Sequence, residues 1–159
     1  LSFLNKELGL TGCYQNHAGN SVGASLWELW ELLKKPDKKY RGLQHDIRHA
    51  VVEGGMSWQN GLRLVQPQIK TLVIKDFLWE KKNGEWNPLN VPLGAGMVDF
   101  KTYFKLLKQY KVNVPVSLHL EHPLGGAERG DAKISVDKKV VFDGMKKDLK
   151  KVRDLWQQV

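Results

Sequence analysis

The chain has 159 residues, 42% of them hydrophobic, with a formal net charge of +8 at pH 7 and a single cysteine. That length and apolar content suit one domain with a buried core, expected over residues 1–159. A lone Cys13 excludes an internal disulfide and fits a reducing compartment, so a cytoplasmic setting is expected. No apolar run approaches the ~20 residues that cross a bilayer and no secretory pattern is visible, so no membrane partner is expected.

In chain order, Leu1 to Gly9 reads as the end of a helix, and the chain is therefore expected to be the later part of a longer protein. Leu10 to Tyr14 is a short apolar run leading into Gln15-Asn16-His17. From Ala24 to Lys35, Leu26, Leu29, Trp30 and Leu33 recur at i, i+3, i+4 and i+7, while Glu28 and Glu31 point away. This predicts a helix that Pro36 stops. Gly42 to Gln44 leads into His45-Asp46-Ile47-Arg48-His49. Ser57 can cap a helix carrying Trp58, Leu62 and Val65. Thr71 to Ile74 is continuously apolar, as a strand covered on both faces should be, and leads into Lys75-Asp76.

The segment from Phe77 to Val98 is too long for an ordinary connection. It reads either as a lid offering Trp79 and Trp86 to a ligand, or as a loop whose tryptophans pack it down on the body. Asp99 can cap a helix whose Phe100, Tyr103, Phe104 and Leu107 form a stripe opposite Lys101, Lys105 and Lys108. Pro115 can start the strand Val116 to Leu120, which leads into His119-Leu120-Glu121-His122. A last helix from about Lys138 to Gln157 spaces Phe142, Met145, Leu149, Val152 and Trp156 by threes and fours, with Lys146, Lys147, Lys150 and Lys151 around it.

Strand then helix, four times over, predicts an α/β fold. Right-handed crossovers would place all four strand C-termini, with their clusters of ionisable groups, on one rim. Four such units make (β/α)4, half of a TIM (β/α)8 barrel with outer helices. A doubly wound sheet is the alternative, although no Gly-rich dinucleotide fingerprint follows the first strand. The positive charge can point to nucleic acid, but the lysines fall largely on helix faces where solvation explains them, and no nucleic-acid motif accompanies them.

His45-Asp46-Ile47-Arg48-His49-Ala50-Val51-Val52-Glu53-Gly54-Gly55, Ile74-Lys75-Asp76-Phe77, Pro92 through Phe100, and Glu121 followed by Leu124-Gly125-Gly126-Ala127-Glu128 together resemble the sugar phosphate isomerase/epimerase proteins of the xylose isomerase-like TIM-barrel superfamily. The resemblance aligns nearly the whole chain with the C-terminal half of that barrel, leaving the N-terminal half absent. It implies an isomerase or epimerase acting on a sugar, sugar phosphate or related polyol by enediol proton transfer or hydride shift. It also implies a divalent ion (Mn2+, Mg2+ or Co2+) polarising the substrate's oxygens.

By the same resemblance Asp46 and Glu121 are metal ligands, with Gln15 and Asp76 as further candidates. Glu121, Lys75 and His49 are the catalytic candidates, Lys75 as the cation beside a forming enediolate. His17, His49, Trp79, Trp86, Gly125 and Gly126 are candidates for substrate contact, the glycines through backbone N–H groups facing a phosphate. Each has a plainer reading: Asp46 paired with Arg48, Glu121 solvating a strand end, Lys75 in an ion pair with Asp76, Asp46 or Glu121, His49 bonded to backbone, and the two glycines in a tight turn.

Two positions depart from the family's pattern. Gln15 stands where Glu-Asn-His commonly ends the fifth strand, and Val73 stands at the histidine of His-x-Lys-Asp. A neutral amide cannot take a proton at neutral pH, and valine cannot ligate. A non-catalytic sugar-binding or half-barrel assembly module is therefore the rival reading, and an endonuclease IV-like, metal-dependent phosphodiesterase is a third. Half a barrel leaves open strand edges and an apolar face, so either the N-terminal half or a second copy is expected to cover it.

Overall fold

The computed structural model describes residues 2–34 and 38–159, so Pro36, expected to stop a helix, lies outside the described residues. In chain order the elements are α1 (Ser2–Glu7), β1 (Gly12–Gln15), α2 (Leu26–Leu33), β2 (Arg41–Asp46), α3 (Ile47–Gly54), α4 (Trp58–Val65), β3 (Ile69–Ile74), β4 (Asp76–Lys82), β5 (Glu85–Val91), α5 (Phe100–Gln109), β6 (Val116–Leu118) and α6 (Lys138–Gln157). Strands β1, β2, β3 and β6 form one sheet in that order. β1 runs parallel to β2, and β2 to β3. Parallel neighbours in sequence order, each reached through helix, are the (β/α)4 arrangement of half a TIM barrel.

The chain divides into two compact units. The first runs to Ile74 and takes in Leu107–Ser117; the second comprises Lys75–Leu106 and Leu118–Val159. In the first, Leu29 of α2, Leu43 of β2, Ile47 of α3, Leu62 and Val65 of α4, and Val73 and Ile74 of β3 are fully buried. Ser25 caps α2 by accepting from the Trp27 amide. A Cβ on Gly61 would stand 2.8 Å from Leu26 Cδ1, so glycine there sets how closely α4 approaches α2.

One helix is absent from the sequence expectation. Ser57 does not cap α4 through its side chain; its hydroxyl donates to the Gly54 carbonyl. The helical path begins earlier, at α3, whose N-cap is Asp46. Reading His45 to His49 only as a functional cluster hides the fact that an aspartate followed by Ile47, Ala50 and Val51 also starts a helix.

In the second unit the long segment after Asp76 is ordered as an antiparallel hairpin of β4 and β5, with Lys82 opposite Glu85. Asn83 and Gly84 form its two-residue turn with positive φ of 53° and 85°. Asn-Gly is the pair such a turn favours, because both positions need that conformation and it matches the twist of the strands. Helix α5 buries Phe100, Tyr103, Phe104 and Leu107, the expected stripe, and Asp99 caps it by accepting from Thr102 N. Helix α6 begins at Asp137, which accepts from Lys139 N. Its Trp156 packs edge-on against Phe104 at 5.6 Å, whereas Phe142, Met145 and Leu149 of the expected apolar stripe are exposed.

Candidate active site

In the first unit the ends of β1 and β2 are locked together by one residue. Asn16 donates from Nδ2 to the Asp46 carbonyl at 2.9 Å and accepts the Asp46 amide on Oδ1 at 2.8 Å. This clamp holds Gln15 where its Nε2 donates to Asp46 Oδ2 at 2.9 Å. Asp46 Oδ1 accepts from His49 N at 3.2 Å, the cap of α3. Both oxygens of a fully buried carboxylate are thus held by neutral donors.

His49 is also buried. Its Nδ1 accepts the Ala18 amide at 3.1 Å and stands 3.0 Å from Arg48 Nη1. Two donors on Nδ1 place the ring proton of the neutral imidazole on Nε2, which lies 3.7 Å from Asp46 Oδ2. The His17 ring stacks at a tilt on His49, centroids 4.0 Å apart. The structure therefore brings together Gln15, His17, Asp46 and His49. Val73 completes the row: it is the register partner of Asp46 across β2 and β3, so its side chain leaves the sheet on the same face, and it is fully buried.

In the second unit Lys75 is 4% exposed at its side chain, and Glu121 36%. The ammonium donates to both carboxylate oxygens at 2.9 Å, so Glu121 is one of the partners weighed from the sequence that Lys75 meets. His119 Nδ1 lies 3.1 Å from Glu121 Oε1, and Asn90 Nδ2 donates to Oε2 at 3.3 Å. Burial raises the carboxyl's affinity for its proton, but the bonds and charges of Lys75 and His119 together outweigh it and hold Glu121 below its ordinary value of 4.5. Glu121 lines an open cavity of about 300 Å³ with Pro88, Leu89, Asn90, Pro123, Glu128 and Arg129.

The hairpin register sets Phe77, Trp79 and Lys81 opposite Asn90, Pro88 and Trp86. These six residues share one hairpin face. Trp79 and Trp86 are 40% and 63% exposed and line a second cavity of about 360 Å³, so of the two readings of this segment the packed-down one is not what the structure shows. Asn90 escaped the sequence reading; with the hairpin recognised at Asn83-Gly84, period-two alternation would have set it beside the tryptophans.

Asp76, next to Lys75 in sequence, has a different role. Its Oδ1 accepts from Phe77 N and Val98 N, and its Oδ2 from Gly94 N and Gly96 N. Four N–H donors saturate a carboxylate's acceptor positions. A Cβ on Gly96 would come within 2.2 Å of Oδ1, which is why glycine stands there. His122 is likewise structural, its Nε2 meeting Asp148 Oδ2 of α6 at 3.1 Å with both residues buried. The turn at Gly125 and Gly126 is closed internally: Glu128 Oε2 accepts from Leu124 N and Gly126 N at 2.9 Å each. A phosphate on the Gly126 amide would have to displace that carboxylate.

The model of the Xylose isomerase-like TIM barrel family matches residues 2–137. The chain belongs to the xylose isomerase-like TIM barrel family. Solved barrels share the fold at low identity. A D-psicose 3-epimerase from Clostridium cellulolyticum H10, solved with D-tagatose, superposes with a TM-score of 0.70 at 15% identity, covering 95% of this chain and 51% of that one. An L-ribulose 3-epimerase gives 0.66 at 12%, with 96% and 49% covered. A xylose isomerase-like TIM barrel protein from Mycobacterium smegmatis, in complex with magnesium, gives 0.60 at 13%, with 95% and 46% covered. This TIM barrel chain thus spans about half the length of the solved barrels it matches. No curated protein matches its sequence.

The magnesium of that neighbour raises the question of whether the donors here fit a divalent ion. Asp46 and Gln15 face each other through an amide N–H, Glu121 has an ammonium on both oxygens, and Asp76 is saturated by backbone. Among the described residues no three His, Cys, Asp or Glu side chains group to hold a metal. As arranged, these donors do not fit a resident divalent ion.

Proposed function

We propose that this chain is the C-terminal half of a sugar isomerase or epimerase, with a polyol or sugar, free or phosphorylated, as its ligand. The observation that carries the proposal is Glu121: an ionised carboxylate open to a cavity, cradled by a buried ammonium, in a barrel family whose solved neighbours include sugar epimerases. Glu121 can take the proton from a carbon beside the substrate carbonyl, the C–H electron pair moving into the carbonyl to form an enediolate. As Glu121 becomes neutral, the Lys75 ammonium loses its anion and gains a new one in the enediolate oxygen, so its positive charge stabilises the product of the step. Returning the proton to the neighbouring carbon completes isomerisation, whereas epimerisation requires a second acid to deliver a proton to the opposite face of the enediolate.

His119 and Asn90 orient the carboxylate, and Trp79 with Trp86 supplies flat apolar surface for the C–H face of a sugar. His49 and His17 are the polar candidates for sugar hydroxyls in the first unit. Mn2+, Mg2+ or Co2+ would polarise substrate oxygens if bound, but Asp46 in the first unit and Glu121 in the second are each already engaged by other donors, and no step above uses an ion. The four units of a complete barrel that this chain lacks would come from a preceding segment of the same protein or from a second copy. Consistent with this, β1 and β6 are the outer strands of the sheet, and α6 leaves Phe142 and Met145 exposed.

The test is a panel of ketoses and aldoses offered to the natural full-length protein, with turnover and binding both measured. Interconversion abolished by Glu121→Gln supports the proposal. Sugar binding without turnover would favour a binding module, and neither binding nor turnover across the panel would contradict the sugar assignment.

A further inference from the structure

We propose that this barrel works without a resident divalent ion, and that Lys75 is the cation against which Glu121 is built. Ion binding is measured independently of what the protein turns over.

In the first unit the residues concerned are Gln15, Asp46 and Val73. β1, β2 and β3 end side by side, and these three side chains leave one face of the sheet together. A hard divalent ion needs several anionic or carbonyl oxygens, with imidazole as a further option. Of the three positions only Asp46 is anionic. Gln15 turns its N–H, and not its carbonyl oxygen, toward Asp46 Oδ2. An amide nitrogen pointed at the carboxylate occupies the position a cation would take and repels one. Val73, fully buried, offers hydrocarbon. The Asn16 clamp and the α3 cap hold Asp46 by backbone on both sides, so the carboxylate has little freedom to reorganise.

The second unit holds Lys75 and Glu121. Glu121, partly withdrawn from water beside its cavity, is an anion that a neighbouring positive charge stabilises. Lys75 provides it in symmetric form, 2.9 Å from both oxygens. A divalent ion could reach Glu121 only by displacing an ammonium that is itself nearly buried.

The experiment is manganese binding, read by the loss of the free-ion paramagnetic resonance signal and by calorimetry, on the natural full-length protein. We expect no saturable binding by the wild type. The double variant Gln15→Glu/Val73→His should gain affinity by ~tenfold or more, because it adds one anionic oxygen ligand and one imidazole beside Asp46. Lys75→Met should gain weaker binding that Glu121→Gln removes. Far-ultraviolet circular dichroism and a cooperative melt establish that each variant is folded. Tight manganese binding by the wild type, lost in Asp46→Asn or Glu121→Gln, would overturn the inference. Failure of the folded double variant to gain affinity would equally contradict it, since the two missing donors would then not be what keeps the ion out.

Discussion

Asp46 ends the strand β2 and Glu121 follows β6 by three residues, and the donors on the two carboxylates differ in kind. Asp46, fully buried, accepts from the His49 amide on one oxygen and from the Gln15 side chain on the other. Around Glu121 the donors are an ammonium and an imidazole, and the carboxylate opens on a cavity. Asp76 carries the first pattern to its limit with four backbone donors. Backbone donors fix a chain's path and leave little for a ligand. Side-chain cations can be shared with a substrate's developing charge, so the kind of donor, more than the carboxylate itself, separates fold from chemistry.

The comparison is broken most forcefully at Asp76. Asp76→Ala leaves four amides without their acceptor and should cost about 4 kcal/mol of unfolding free energy by urea denaturation, given the penalty of leaving buried donors unmade. Asp46→Ala removes the α3 cap and the Gln15 partner and should cost about 2 kcal/mol in the same measurement.

A third prediction concerns pH. Burial lowers His45 from 6.5 to about 3. The unfolded chain therefore binds a proton below pH 6.5 that the folded chain refuses until about pH 3, so stability is complete above 6.5 and falls as the pH drops. Between pH 7.5 and 6 the loss should be about 1 kcal/mol, and His45→Gln should flatten it. Glu121 adds a second loss only lower, as the pH falls through a folded value below 4.5.

The smallest stability effect is expected at Glu121. Glu121→Gln keeps an acceptor for Lys75 at a partly exposed position and should shift stability by less than about 1 kcal/mol. A loss comparable to that of Asp76→Ala would erase the distinction between the two kinds of site.

The helical stripes of α2, α4 and α5 and the continuous hydrophobicity of β3 were legible because burial imposes a period on the sequence, and the four-unit order followed from them. The resemblance carried the half-barrel further than periodicity could. The hairpin after Asp76 was missed as structure although Asn83-Gly84 marks it, because attention to length alone makes a long connection look like a loop. The helix at Ile47 was hidden because Asp46 serves as strand end, helix cap and partner of Gln15 at once. That Lys75 meets Glu121 was not legible at all, since Asp46, Asp76 and Glu121 are equivalent carboxylates in sequence, and the saturation of Asp76 by the backbone at Gly94 and Gly96 is visible only in the structure. The stripe on α6 was legible as a pattern, whereas its exposure is a property of tertiary packing.

The most direct test of the central claim is exchange of substrate hydrogen with solvent. The natural full-length protein, incubated in deuterium oxide with ketoses such as D-tagatose, is followed by nuclear magnetic resonance of the carbon-bound hydrogens beside the carbonyl. A proton-transfer role for Glu121 predicts deuterium entering at that carbon in the wild type and not in Glu121→Gln, while the variant still melts cooperatively. Deuterium entering equally fast with Glu121→Gln, or epimerisation by the wild type without any deuterium uptake, would contradict it.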